Sequence, residues 1–222
     1  MSQVAGAAVL IYRSPAPRAL LLCLLAVVAS AIALVVLQRL LLLLHDPLLE
    51  DARRAVAFWR KIECLALAAI GIVLVQFIRV VRDNMAPLGV SDAAWPVSTA
   101  AILWLLPVVN VFFAAVLLRE AWQASDPDRA QSLFINWRQS AGGGLPLVWA
   151  GLCLFGLGLV LVPWLNMGLA PGVGLFSSVM LSILGCLVLT VAHLALIAIA
   201  ILLARRQDRR AARRDVGALP AW

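Results

Sequence analysis

Five long apolar runs leave this chain little to fold into except a bundle of helices in a lipid bilayer. They cover residues 19–44, 62–81, 97–118, 145–165 and 174–204. Each is long enough to cross a hydrocarbon core of about 30 Å at about 1.5 Å per residue. Lipid offers the backbone no hydrogen-bond partners, so each run has to satisfy its own N–H and C=O groups as a helix. The last run exceeds one crossing and is expected to tilt or project. Of the 222 residues, 64% are apolar and 13% charged, and the mean hydropathy is +1.01. Soluble domains are nearer half apolar and a quarter charged. The expected fold is therefore all-α: a polytopic bundle of five transmembrane helices in one domain, residues 1–204, with a basic tail over residues 205–222.

Charge sets the expected topology. Four cations lie in the loop 45–61, three in 119–144 and six after residue 204. In a five-span chain these thirteen share one face. Only Arg13, Arg18 and Arg82 fall on the other. Because cytoplasmic loops carry the Lys/Arg excess, the count predicts an outside N-terminus and a cytoplasmic C-terminus. Lys61 is the only lysine among 18 cationic residues. That arginine bias points to a GC-rich bacterial genome and hence to a bacterial inner membrane.

The stretch "HDPLLEDARR" after the first run has the form of a helix start. Asp46 can cap, Pro47 suits the first helical position, and Glu50 and Asp51 favour the positive end of the dipole. With Leu48, Leu49, Ala52, Val56 and Trp59 on its apolar side, it predicts an interfacial helix that can run on into the second span. Trp59, Trp95, Trp122, Trp149 and Trp164 fall near span ends, as an aromatic belt requires.

Chemistry-bearing motifs are scarce. Cys23, Cys64, Cys153 and Cys186 sit in or beside apolar runs with no C-x-x-C pair and no histidine at ligand spacing, so no metal or cofactor is expected. The sequence holds no nucleophile elbow, phosphate loop or carboxylate dyad. It holds no basic groove with aromatic platforms for nucleic acid either. These absences weigh against an enzyme.

Three patterns inside the spans are candidates for function or packing. Pro107 lacks an N–H and crowds the carbonyl of Leu103, which predicts a kink. Asn110, one turn on, offers two donors and an acceptor, and Pro107, Asn110 and Ala114 share one face, expected to point inward. In the last run Gly174, Ser178, Ser182, Cys186 and Thr190 recur every four residues, a small-residue stripe that permits close helix approach. His193 lies near that face at a depth like that of Asn110, so the two are candidates for a polar centre. The tail arginines form two adjacent stripes, Arg205, Arg209 and Arg213 beside Arg206, Arg210 and Arg214. As a helix they would lie against anionic lipid headgroups. Arg119, Glu120 and Trp122 end the third run, and Glu63 at the start of the second is a candidate partner for Arg119.

Pro107, Asn110, Arg119, Glu120 and Trp122, with Trp104 upstream and the acidic turn Ser125-Asp126-Pro127 behind, also carry a resemblance. The segment 105–122 resembles a bacterial multi-span membrane family catalogued as domain of unknown function 4328. Ala114 stands where that pattern has a second proline, and Arg79 and Asn84 match its upstream segment with a one-residue offset. The resemblance implies a multi-span fold and bacterial origin and implies no activity. The expected function is a non-enzymatic membrane module that assembles with itself or with a membrane partner, with the bilayer and its anionic lipids as further partners. The alternative is a small transporter or channel with Asn110 and His193 at its polar centre.

Overall fold

The computed structural model describes residues 12–46, 48–90, 107–127, 143–169 and 174–217. Among the described residues there are five α-helices and no strand: α1 Ala16–His45, α2 Glu50–Asp83, α3 Pro107–Ala124, α4 Leu145–Leu169 and α5 Leu175–Gly217. Three of them, α1, α2 and α5, are long and apolar enough to cross a membrane, and α4 contributes a shorter apolar helix over residues 145–161. This length and apolarity mark a membrane protein. Leucines and phenylalanines lie on the outside of these helices, Leu20, Leu24, Phe58, Leu65, Ile72 and Leu194 each more than half exposed. A soluble surface would not carry them at that density, whereas lipid accepts them.

The first and last helices pack together most extensively, while α2 and α3 touch only slightly. α1 packs between α2 and α5, α5 packs between α1 and α4, and α3 lies chiefly on α4. The main core fills the middle of this ring with Leu22 and Ala29 of α1, Leu74 and Phe77 of α2, Leu118 of α3, and Leu196 and Ile199 of α5. A second cluster, Val36, Leu40, Ala52, Val179 and Cys186, closes the other end of α1, α2 and α5.

α4 and α5 approach most closely at two glycines. A Cβ on Gly185 would lie 2.7 Å from Val160 Cγ2 and 3.2 Å from the Gly156 carbonyl. One on Gly156 would lie 2.9 Å from Leu189 Cγ. The expected small-residue stripe is thus displaced by one position. Ser178 and Cys186 are buried, but Cys186 faces α2, and Gly174 is exposed. Thr190 turns its hydroxyl back on the Cys186 carbonyl, 2.8 Å away. Gly185 supplies the close approach.

The helix start after α1 also differs from expectation. Asp46 ends α1, its N–H donating to Leu42 O, and its side chain accepts from the Leu48 N–H at 3.0 Å. The next helix begins at Glu50 and continues unbroken to Asp83, so the expected interfacial helix is the first part of α2. No proline interrupts residues 50–83, and nothing stops propagation. α5 likewise runs on past the apolar run through the arginine tail. At about 1.5 Å per residue it is roughly 65 Å long, far more than one hydrocarbon core requires.

The N-terminal segment and the tail of α5, expected on opposite faces, lie side by side. Tyr12 donates its hydroxyl to Asp208 at 2.7 Å, and Arg13 is bonded through its backbone to Asn84. The start of α1, the end of α2 and the tail of α5 therefore share one end of the bundle. The end of α3 joins them, because Arg210 of α5 donates to both Leu88 O and Ala124 O. Leu88 and Ala124, expected on opposite sides of one crossing, thus lie at the same end of the bundle. The charge count assumed that residues 97–118 crossed once, and every later assignment inherited that parity. The first half of that expected span lies outside the described residues, as does the backbone before Pro107 on which the expected kink depends.

Candidate functional site: a polar clasp at one end of the bundle

α2 and α3 both end at this shared face. Helix C-termini present carbonyls without intrahelical partners and carry the negative end of the dipole. Arginine and amide side chains from α5 meet them. Gln207, fully buried, donates to Val81 O at 2.9 Å in the last turn of α2. Arg210, also buried, sits on Ala124 O at the end of α3 and reaches Leu88 O at 3.1 Å. Gly89 has φ 83°, a left-handed conformation that suits glycine, and it turns the chain just where Leu88 offers its carbonyl.

Asn84 ties this layer to the N-terminal segment. Its amide donates to Arg13 O at 2.6 Å and to Gln207 Oε1 at 3.0 Å, and its carbonyl accepts from the Arg13 N–H at 3.0 Å. Beneath lies a buried ion pair between Arg82 of α2 and Glu120 of α3. Above, Arg206 stacks over Trp122, 5.0 Å from the ring centroid, and lies 3.7 Å from Asp126. Burial and the adjacent Asp208 carboxylate push the Tyr12 hydroxyl well above its ordinary pKa of 10.0.

The candidate residues separate accordingly. Glu120 and Trp122 belong to the clasp, and Arg119 is exposed beside it. Arg119 also packs on Gly143, where a Cβ would come within 2.8 Å of its Cγ. The two tail stripes divide the work: Arg206 and Arg210 turn inward and Arg205 and Arg209 are exposed, while Arg213, though exposed, donates to Pro127 O at 3.0 Å. Arg210 is thus committed to backbone carbonyls and does not face headgroups. The side chain of Arg214 and that of Pro107 lie outside the described residues.

His193 is buried in the α1–α5 seam, its Nδ1 3.3 Å from Ser30 Oγ. Ser30 uses its one proton on Ala26 O, 2.8 Å away, so the ring N–H donates and the hydroxyl accepts. Asn110 is half-buried on α3 and is not bonded to His193.

A second buried ion pair lies near the opposite end. Arg60 donates to Glu63 at 2.6 Å and to Cys186 Sγ at 3.3 Å. Glu63 therefore takes its partner from its own helix, one turn back, rather than from Arg119, which is at the other end. Arg60 and Arg82 are about 33 Å apart along α2, close to the thickness of a hydrocarbon core.

Asn84, Gln207, Tyr12 and Asp208 were not singled out by the sequence as a unit. The one signal for them is that Gln207 and Asp208 interrupt an otherwise basic run. Among the described residues no group of histidine, cysteine or carboxylate side chains could hold a metal ion. The clasp's acids and bases are paired with one another or with carbonyls, an arrangement that fixes helix ends. No protein-family model, curated protein or solved structure matches this chain.

Proposed function

We propose that the protein is a non-enzymatic, multi-pass module of a bacterial inner membrane that assembles with itself or with a membrane partner through its clasp end. In this proposal the clasp end and both termini face the cytoplasm, and the chain makes an even number of crossings. Support comes from the charges that meet there: Arg13, Arg18, Arg82, Arg119 and the tail arginines, against Arg53, Arg54, Arg60 and Lys61 at the opposite end. The outward-facing Arg205 and Arg209 meet anionic headgroups, at roughly 1 kcal/mol per charge near the surface. The likeness of residues 105–122 to domain of unknown function 4328 is consistent with this assignment and adds no activity.

One observation carries the assembly reading. The polar side chains at the clasp are used up in locking helix ends together, which leaves a rigid face with Arg119, Arg205 and Arg209 outward. Purification from native membranes into nanodiscs, followed by mass photometry, tests it. The expected mass exceeds one copy, and the double variant Arg119→Glu, Arg209→Glu lowers it. A single copy in both would overturn the proposal.

The transporter alternative draws support at Asn110 alone. His193 is engaged across a different seam, by Ser30.

A further inference from the structure

The outer stripe of α2 changes character along its length. Leu65, Ala68 and Ile72 follow one another at helical spacing on the side away from the core, and all are exposed, Leu65 by 67% and Ile72 by 66%. Lipid tails are as apolar as these side chains and cover them without a partner. The same stripe continues as Gln76, Arg79 and Asp83, which are exposed too. None of these three side chains makes a hydrogen bond or an ion pair among the described residues.

Depth singles out Gln76. Arg82, paired with Glu120, marks the clasp end of α2. Gln76 lies about 9 Å below it along the helix, within a hydrocarbon core of about 30 Å that extends from there toward Arg60. Arg79 is long enough to carry its charge up to the headgroups. A carboxamide is too short for that, and lipid tails leave its two donors and its acceptor unmet. Gln76 therefore calls for a polar group at the same depth on another helix, outside the bundle to which α2 belongs.

A second copy of the chain carries that group. Copies in one membrane share an orientation, so a two-fold axis along the bilayer normal sets α2 against α2 in parallel, each seam residue level with its counterpart. A carboxamide donates and accepts, so Gln76 is complementary to itself at the axis. Arg79 and Asp83 have opposite charges one turn apart, so each arginine can meet the aspartate of the other copy. Gln38, the exposed amide of α1, has no such complement: its outward neighbours Leu34, Leu41 and Leu42 are apolar.

We infer that the stripe of α2 from Leu65 to Asp83 is the seam of a parallel homodimer, closed by reciprocal Gln76 hydrogen bonds and by Arg79–Asp83 pairs between the copies. The inference rests on the assembly proposal. It names a second copy as the partner and puts the contact on the lipid-facing flank of the bundle.

Cross-linking in native membranes tests the seam, with the four native cysteines replaced by alanine. Oxidation of Ile72→Cys is expected to give a product of two copies, and Gln38→Cys none. Adding Gln76→Leu to Ile72→Cys should weaken association about fivefold, the worth of one interhelical amide bond. Arg79→Asp should lower the product by setting aspartates against each other, and Arg79→Asp together with Asp83→Arg should restore it. No product from Ile72→Cys, an equal product from Gln38→Cys, indifference to Gln76→Leu, or a double swap that restores nothing would each overturn the seam. If the alanine background does not fold, mass photometry compares Gln76→Leu with the unsubstituted chain, native cysteines in place. A mass above one copy that falls in Gln76→Leu supports the seam. A mass above one copy in both overturns the seam and spares the assembly proposal, and a single copy in both overturns the two together.

Discussion

Arg82, at the end of α2, and Glu120, near the end of α3, form a buried ion pair although 38 residues separate them in the chain. The pair makes α2 and α3 parallel neighbours that finish at the same level. A direct turn between them would have made them antiparallel. Around it the remaining helix ends and the N-terminal segment are fastened by Asn84, Gln207 and Arg210.

Removing Glu120 takes from the buried Arg82 the carboxylate it is paired with. Glu120→Ala is expected to lower stability by about 3–5 kcal/mol, since Arg82 cannot reach water. The double variant Arg82→Met, Glu120→Leu should recover most of that loss, because two apolar side chains of similar volume leave no orphaned charge. Denaturant titration in detergent micelles reads both. A double variant as unstable as the single one would show that the pair is not the source of the effect.

The α4–α5 seam depends on the absence of a side chain at Gly185. Gly185→Val is expected to cost about 1–3 kcal/mol, because the added atoms meet Val160 and the Gly156 carbonyl. Gly158→Ala is the control: its Cβ meets nothing within 4 Å, and alanine suits a helix interior better than glycine. Thermal midpoints measured side by side should fall for the first and hold or rise for the second.

Tyr12 is the only tyrosine in the chain, so tyrosinate absorbance reports the N-terminal contact directly. Its hydroxyl titrates above its ordinary 10.0, chiefly through burial and then through Asp208. A folded-state pKa above the unfolded one means that the contact stabilises fully below pH 10.0 and fades as pH rises beyond it. The intact protein should show no tyrosinate signal on titration through pH 10.0, and unfolding should restore it there. Asp208→Asn should shift the folded titration downward. Ordinary titration in the intact protein would mean that Tyr12 is not held against Asp208.

The helices were legible because apolar length decides them. The run 19–44 became α1 over Ala16–His45, and the run 145–165 became α4 over Leu145–Leu169. The start of α2 was misread because Asp46 and Pro47 have the right chemistry for a cap in the wrong place, Asp46 being used to end α1. That the start of α1, the end of α2 and the tail of α5 share one end was not legible, because the bonds that join them run between residues far apart in the chain. The inward turn of Arg206 and Arg210 was equally hidden: a run of arginines reads as a charged surface until two helix C-termini are brought beneath it.

The account stands on the shared end of the bundle, and sidedness tests it most directly. Single cysteines at Ala86, Gly144, Ala212 and Leu48, all exposed positions, can be labelled with a membrane-impermeant thiol reagent in vesicles of both orientations. Ala86→Cys, Gly144→Cys and Ala212→Cys are expected to label from one side and Leu48→Cys from the other. Labelling of Ala86→Cys and Ala212→Cys from opposite sides would contradict the clasp and return the chain to an odd number of crossings between them.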